Sequence, residues 1–397
     1  MTTPERLAGP ALPSAGLGRF ATYYLLAGSS VTGSIWILYL AERGFSLAEI
    51  GLAESVFHLA PITLELPSGS LADVAGRKWT LAIGPALAGV SSLLMLRADS
   101  LWWLLPAMYA SGASFAFRSG ADQAFLYDSL AETSRQGRYA ALYGRLLSLS
   151  YVMLAVSMWA GGLLADRDFR WAFLLAAAVS FAAAGLALTL REPRRERAPQ
   201  AGILRNVAEA ARVVRQNPGL GWLLAFTTGL ATLVTLIALY AQAVFSGHGM
   251  APSRVSFLIG ASLLLTAAGS WASGRIGARV GFARFAVAAT VAATAAALGL
   301  GGAGVAVATG LYLLHEVFAG VFEPMVSARL NEGLPSAQRA TILSIEGFLF
   351  SVTMVWAFPL FGLAAERFGW LAAYGAAAAA VIALLLGWLA SERADRA

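Results

Sequence analysis

A chain of 397 residues that is 58% hydrophobic and only 13% charged lacks the polar surface that a water-soluble globule of this length must show, and its composition belongs to the membrane class. It has no cysteine, which excludes disulfides, thiolate metal sites and cysteine nucleophiles. The net charge of +6 would suit a polyanion, but the basic residues sit in short loops between apolar runs, where they act as topology determinants against anionic lipid; no nucleic-acid partner is expected.

The first 18 residues contain no apolar core of the signal-peptide kind, so no cleaved leader is expected. From there the chain repeats one theme. Apolar runs bounded by turn residues predict helices at 19–41, 47–72, 79–97, 101–128, 139–164, 170–190, 220–245, 253–275, 284–301, 304–328, 341–364 and 370–390, each long enough to cross about 30 Å of hydrocarbon. The fold class is therefore an all-α polytopic membrane protein with twelve transmembrane helices. The longest polar segment divides them into a six-helix bundle at 1–190, a linker at 191–219 and a second six-helix bundle at 220–397. Within the linker, Ile203, Val207, Ala210, Ala211 and Val214 share one helical face, which fits either a helix lying on the membrane surface or a solvated connector.

With the spans numbered this way, Arg43, Arg97, Arg167, Arg170, Arg254 and Arg367 fall at one end of the bundle and Arg118 falls inside a span, leaving 21 of the 28 basic residues at the end that carries both termini. By the positive-inside rule both termini and the linker are cytoplasmic, and the protein sits in the cytoplasmic membrane.

Ionisable residues within spans cost about 2.5–3.5 kcal/mol each on insertion scales, so those present face a partner or an aqueous cavity. Span two carries Glu54, His58 and Glu65; span four carries Arg118 and Asp122, an i,i+4 pair; span ten carries His315, Glu316 and Glu323, with Tyr312 on the face of the two acids; Glu346 opens span eleven. Glu54 reads as a hydrated residue at the outer mouth and His58 as a structural histidine. Glu316 has no base one turn away on its own helix and reads as a cavity carboxylate that carries a coupling proton, supported by Asp122 and Glu65. The Arg118–Asp122 pair fits either a neutralised structural bridge or a cavity site. Aromatic residues accompany the same helices, among them Tyr23, Tyr24 and Trp36 in span one and Tyr109, Phe115 and Phe125 in span four. Together with the excess of acids they suit amphipathic or cationic organic molecules.

Catalytic signatures are absent. There is no G-x-x-x-x-G-K-[ST] loop and no H-E-x-x-H helix, and the three histidines lie far apart. No enzyme activity, metal or cofactor is expected, and an integral-membrane lipid enzyme or a lipid flippase is the alternative class.

Between spans two and three stands Gly69-Ser70-Leu71-Ala72-Asp73-Val74-Ala75-Gly76-Arg77-Lys78. It resembles the loop signature G-x-L-a-D-r-x-G-r-k of the major facilitator superfamily, departing from it at Val74, where a basic residue is usual. A degenerate second copy, Ser273 to Gly281, occupies the equivalent place between spans eight and nine. Phe169-Arg170-Trp171-Ala172-Phe173 and Arg339-Ala340-Thr341-Ile342-Leu343-Ser344 look like further landmarks of the family. Glu65-Leu66-Pro67-Ser68-Gly69 and Tyr127-Asp128-Ser129-Leu130 resemble a bacterial, multidrug-efflux-like branch whose substrates are mostly unassigned.

The resemblance implies two pseudo-symmetric bundles working by alternating access, with spans one, four, seven and ten around a central cavity. It implies a gating cluster of Asp73, Arg77 and Asp128 in the frame of Gly69, Gly76 and Lys78. The cavity set is Glu65, Arg118, Asp122, Tyr312, Glu316 and Glu323. The implied partners are a small-molecule substrate, protons and the bilayer, with the chain acting as a monomer. Drug/proton antiporters of the family carry Gly-Pro ahead of a Gly-Gly in span five, and Ser157-Met158 stands there ahead of Gly161-Gly162. The expectation is proton-coupled export of amphipathic or cationic compounds, with proton-linked uptake of a small metabolite as the alternative.

Overall fold

A computed structural model describes residues 14–132, 136–193, 215, 217–331 and 336–394. The amphipathic stretch 203–214 and most of the linker lie outside the described residues. The described residues form helices α1 (Ser14–Ala27), α2 (Trp36–Glu42), α3 (Leu47–Ala75), α4 (Arg77–Met95), α5 (Leu101–Arg118), α6 (Ala121–Ala131), α7 (Tyr139–Ala165) and α8 (Phe169–Leu188), followed by α9 (Pro218–Gly247), α10 (Pro252–Val280), α11 (Phe282–Gly302), α12 (Val305–Asn331), α13 (Ser336–Phe368) and α14 (Trp370–Ala394). Ten of these are long and apolar enough to cross a membrane. The other two spans read from the sequence, the first and the fourth, are each broken in two.

The breaks correct the continuous helices expected at 19–41 and 101–128. Between α1 and α2 runs Gly28-Ser29-Ser30-Val31-Thr32-Gly33-Ser34-Ile35. Glycine gives up the most backbone entropy in a helix, and serine and threonine offer the backbone competing hydrogen bonds. The freed backbone groups are taken up by other spans: the Ser30 N–H donates to Ser157 Oγ (2.9 Å) and Gln242 Nε2 donates to the Gly33 carbonyl (3.0 Å). Between α5 and α6, Gly120 takes the left-handed conformation (φ 71°), which ends one helix and re-aims the next.

Helix starts are set by local chemistry. Ser46 and Glu49 form a reciprocal capping box at the head of α3, Asp168 caps α8, and Asn217 caps α9 with Pro218 at its first position. The first six spans meet the last six along two seams, α3 against α13 and α7 against α10. Small residues make these seams close. A Cβ built on Gly51 would stand 2.7 Å from the Phe358 carbonyl carbon, and one on Gly162 would stand 2.5 Å from Ser256 Cβ.

Hydrogen bonds between the two sets of spans lie near the end opposite the termini, here called the distal end. Ser34 bonds Ser256 (2.8 Å), the Ala48 N–H donates to Glu366 (3.1 Å), the Ser253 N–H donates to Asp166 (2.9 Å), and Tyr240 donates to the Leu47 carbonyl (3.4 Å). In the same region α9 packs on α2. The two sets are thus drawn together distally.

Candidate functional site

The two broken spans meet at an ion pair. Arg118 is the last residue of α5 and Asp122 lies in the first turn of α6, where the helix dipole favours an acid. Across the break Arg118 Nη2 stands 3.4 Å from Asp122 Oδ2. Tyr23 of α1 donates to the other carboxylate oxygen at 3.1 Å, and Arg118 Nη1 donates to the Ala27 carbonyl, which the break leaves free at the end of α1. Asp122 is buried and both its oxygens are engaged. Arg118 Nε, by contrast, is buried with no partner among the described residues. The pair is a mutually neutralised bridge, and it fastens both broken spans to each other.

Above it lies a cavity of about 410 Å³ enclosed by the first six spans and touched by Leu239 of α9. Its walls are of two kinds. Ser29, Ser30, Ser91, Ser92, Ser111 and Ser114 make a hydroxyl-rich surface with Arg118, while Trp36, Phe57 and Phe173 make an aromatic one with Glu54. Its size falls within the range of small-molecule sites, roughly 300–1,000 Å³.

Glu54 does not stand exposed at the outer mouth but on the wall of this cavity. It is buried, and its Oε1 stands 3.6 Å from Nε2 of His58, one turn along α3 and equally buried. The fourth-residue spacing puts the two on one face, and α13 covers that face: His58 meets Phe358 nearly parallel (ring centroids 6.1 Å apart, 17°) and Phe350 edge-on (5.7 Å, 80°).

In the last six spans Glu316 accepts a hydrogen bond from Thr266 (2.7 Å) and Tyr312 bonds Ser262 (3.0 Å). Glu316 is 6% exposed and Tyr312 1%, so both are held inside the packing of α10 on α12. Gly320 of α12 sits against the Thr266 backbone there. Glu323 shares their helix but is exposed, within electrostatic reach of Glu346 on α13 and Tyr151 on α7. Glu65 is also exposed and belongs to neither polar cluster. The six residues expected around one cavity thus separate into a bridge (Arg118, Asp122), a buried acid with its tyrosine neighbour (Glu316, Tyr312) and two exposed acids (Glu65, Glu323). The neighbouring His315 is 1% exposed, with both ring nitrogens unpartnered among the described residues.

At the end that carries the termini, Gly76 links α3 to α4 with φ 104°. Arg77 on α4 donates to Asp128 on α6, a half-buried pair made within the first six spans. The Arg77 and Lys78 N–H groups both donate to Glu192 (2.7 and 2.8 Å), and a Cβ on Gly76 would stand 2.8 Å from the Glu192 carboxyl carbon. Glu192, an acid in a basic run, therefore caps α4 through the positive end of its dipole; the sequence reading missed it. Gly69 and Asp73 lie on the last two turns of α3, and the Asp73 side chain lies outside the described set. In the second set of spans Arg329, at the end of α12, pairs with Glu392 on α14.

A family model, Major Facilitator Superfamily, matches residues 20–314. The chain belongs to the major facilitator superfamily. It is similar to EfpA of Mycobacterium tuberculosis, an uncharacterized MFS-type transporter (29% identical over 224 residues, 54% of this chain and 42% of the relative). It is also similar to the inner membrane transport protein YajR of Escherichia coli (28% over 193 residues, 48% and 39%). The matches span less than half the length of these curated relatives. Among solved structures, a variant of the nucleoside transporter NupG superposes with TM-score 0.81 over 95% of this chain and 99% of that one, at 15% identity. A D-xylose-proton symporter gives 0.67 over 94% and 96%, at 14% identity. At such identities the likeness is one of fold. This chain is an integral, multi-pass membrane protein of a family that binds small molecules. The span-five glycines have a local explanation within that fold: Gly161 lies against the Val31 carbonyl in the span-one break, and Gly162 against Ser256 across the seam with α10.

Proposed function

We propose that this transporter moves a small amphipathic, cation-bearing organic molecule out across the cytoplasmic membrane by alternating access, in exchange for protons. The observation that carries the reading is the cavity bounded by the two broken spans. Broken spans bring polar backbone and side chains to mid-membrane, which is where secondary transporters build their sites. Glu54 with Trp36 and Phe57 offers a carboxylate and aromatic faces to a cationic group, and the serine wall receives polar substituents.

Glu316 is the carrier of the transported proton. Among the described residues it has no cationic partner, only the hydroxyls of Thr266, which donates to it, and Tyr312 beside it, so its charge is poorly compensated and it can pass between charged and neutral forms as its surroundings wet and dry. The basic asymmetry places the termini in the cytoplasm, which makes the distal closure an inward-facing state. Proton coupling is further suggested by the proton symporter among the structural neighbours, and the export direction by the resemblance of 65–69 and 127–130 to the efflux-like branch.

The test is purified protein in liposomes with an imposed pH gradient and a panel of amphipathic cations. Wild type should accumulate substrate on the acidic side. Glu316→Gln should lose gradient-driven accumulation and keep substrate binding. Undiminished accumulation by Glu316→Gln would refute the assignment of the carrier.

A further inference from the structure

We propose that Glu54 and His58 form a proton-operated latch on the distal closure, shutting the α3–α13 seam only when the pair holds one proton. The proposal rests on the alternating-access reading above and names a second titrating site within it.

At this level α3 and α13 are in close backbone contact. Gly51, one turn before Glu54, lies with its Cα face on the Phe358 carbonyl and Pro359. Phe358 also covers His58, and Tyr240 of α9 donates to the same Phe358 carbonyl at 3.3 Å. A pair buried here must be close to neutral, because an uncompensated charge inside the protein is far costlier than the same charge in water. With one proton the pair is neutral overall, either as carboxylic acid and imidazole or as carboxylate and imidazolium. With none it carries a full negative charge.

The charged and titratable neighbours do not supply that compensation. On α9 the facing group is Tyr240, within electrostatic reach of Glu54 and Glu366. On α5, Arg118 shares the cavity with Glu54 but is committed to Asp122 and the Ala27 carbonyl. On α13 Glu346 and Glu366 would add negative charge, while the cations Arg339 and Arg367 lie towards its two ends, Arg367 exposed in the last turn; on α3 itself Glu65 is exposed and Glu49 is held in the Ser46 capping box. Within ion-pair distance of Glu54 the described partner is His58.

The sign of the linkage follows. When the seam is open and wet, the pair has ordinary values, about 4.3 for the carboxyl and 6.5 for the imidazole. Above pH ~6.5 the open form therefore holds no proton, and closing takes up one from the distal side. Below that pH the open form already holds the proton on His58, and closing takes up none. Distal closure is thus favoured by acid and weakened by base. Because Glu54 also lines the cavity that reaches Arg118, the pair has a polar route away from the seam once it is shut.

The experiment uses the full chain in lipid nanodiscs, with spin labels on Glu42→Cys and Phe368→Cys at the distal end, and reads the open and closed populations by pulsed dipolar distances from about pH 5 to 9. The open:closed ratio should be flat below pH ~6.5 and rise above it by up to tenfold per pH unit, the limit for one linked proton. Glu54→Gln should lose the rise above pH ~6.5 and, because its lone imidazole can be shut in only when neutral, should open instead as the pH falls below that value. His58→Gln should keep a slope whose onset moves down toward the carboxyl range, near 4.3; a merely structural histidine would leave the onset where it was. A wild-type slope in Glu54→Gln would overturn the proposal, as would loss of the slope in Glu316→Gln with Glu54→Gln unaffected. The transport reading fails separately: if wild type shows the latch and yet no pH gradient drives transport, the latch stands and the proton coupling falls.

Discussion

Replacing Gly362 by alanine puts a methyl group against rigid backbone on the other side of the distal seam. A Cβ at this position would stand 2.6 Å from the Leu47 carbonyl carbon and 2.9 Å from the Ala48 nitrogen, with the Leu47 oxygen nearer still. No rotamer change relieves a backbone contact, so α3 and α13 must part by about 1 Å to regain the 3.5–4.0 Å optimum between carbon atoms. Overpacking of this kind costs about 1–3 kcal/mol. The contact exists only while the seam is shut, so the cost falls on the distal-closed state and should shift its balance with the open state roughly 5–150-fold. The chain has no cysteine, so Ser34→Cys supplies a single reporter thiol. Ser34 is fully buried and bonded to Ser256 of α10, across the distal interface between the two sets of spans, and its labelling rate by a thiol reagent at fixed pH measures how often the distal end opens. Gly362→Ala should raise that rate by the same factor. An unchanged rate in a variant of native helix content would refute the claim that this seam is the distal gate.

Asp122→Asn strands Arg118 without a counter-charge and should cost about 3–5 kcal/mol, read as a large fall in thermal stability, whereas Tyr23→Phe removes one hydrogen bond to a charged group and should cost about 1.5–3 kcal/mol. Glu192→Gln keeps the shape of the α4 cap but weakens its charge. It should slow transport less than Arg77→Ala, which removes the partner of Asp128; equal and undiminished rates in both would reduce this loop to a topological role. In intact cells His248→Cys at the distal end should react with an impermeant thiol reagent while Ser391→Cys is protected, and the reverse pattern would invert the orientation drawn from the basic residues.

The spans were legible because hydropathy over about 20 residues reports burial in lipid whatever the neighbours do. The breaks were not, because the same averaging hides a short polar insert: Gly28 to Ser34 and the Ser119-Gly120 step are diluted by Leu25, Leu26, Ile37 and Leu38, or by Phe115, Phe117, Phe125 and Leu126. Their local signal, a run of glycine, serine and threonine, was on the page. Arg118 and Asp122 were readable as a pair because i,i+4 spacing is local. Tyr23, the third member, comes from 99 positions away. Glu54 and His58 show the same limit. Their spacing was visible, but that His58 is covered depends on Phe350 and Phe358, and no pattern within α3 announces α13. Glu192 was missed for the like reason, since the helix end it caps lies 115 positions upstream.

The break in span one also sets an order of events during synthesis. In hydrocarbon an unpaired backbone group costs several kcal/mol, and the stretch 28–35 has such groups until Ser157 and Gln242 reach Ser30 and Gly33. Those partners belong to the fifth and seventh spans, and neither exists when the first span leaves the ribosome. The first segment to enter the membrane is therefore among the last to reach its final register, and until α9 arrives the nascent protein must keep that kink in water or inside the insertion machinery.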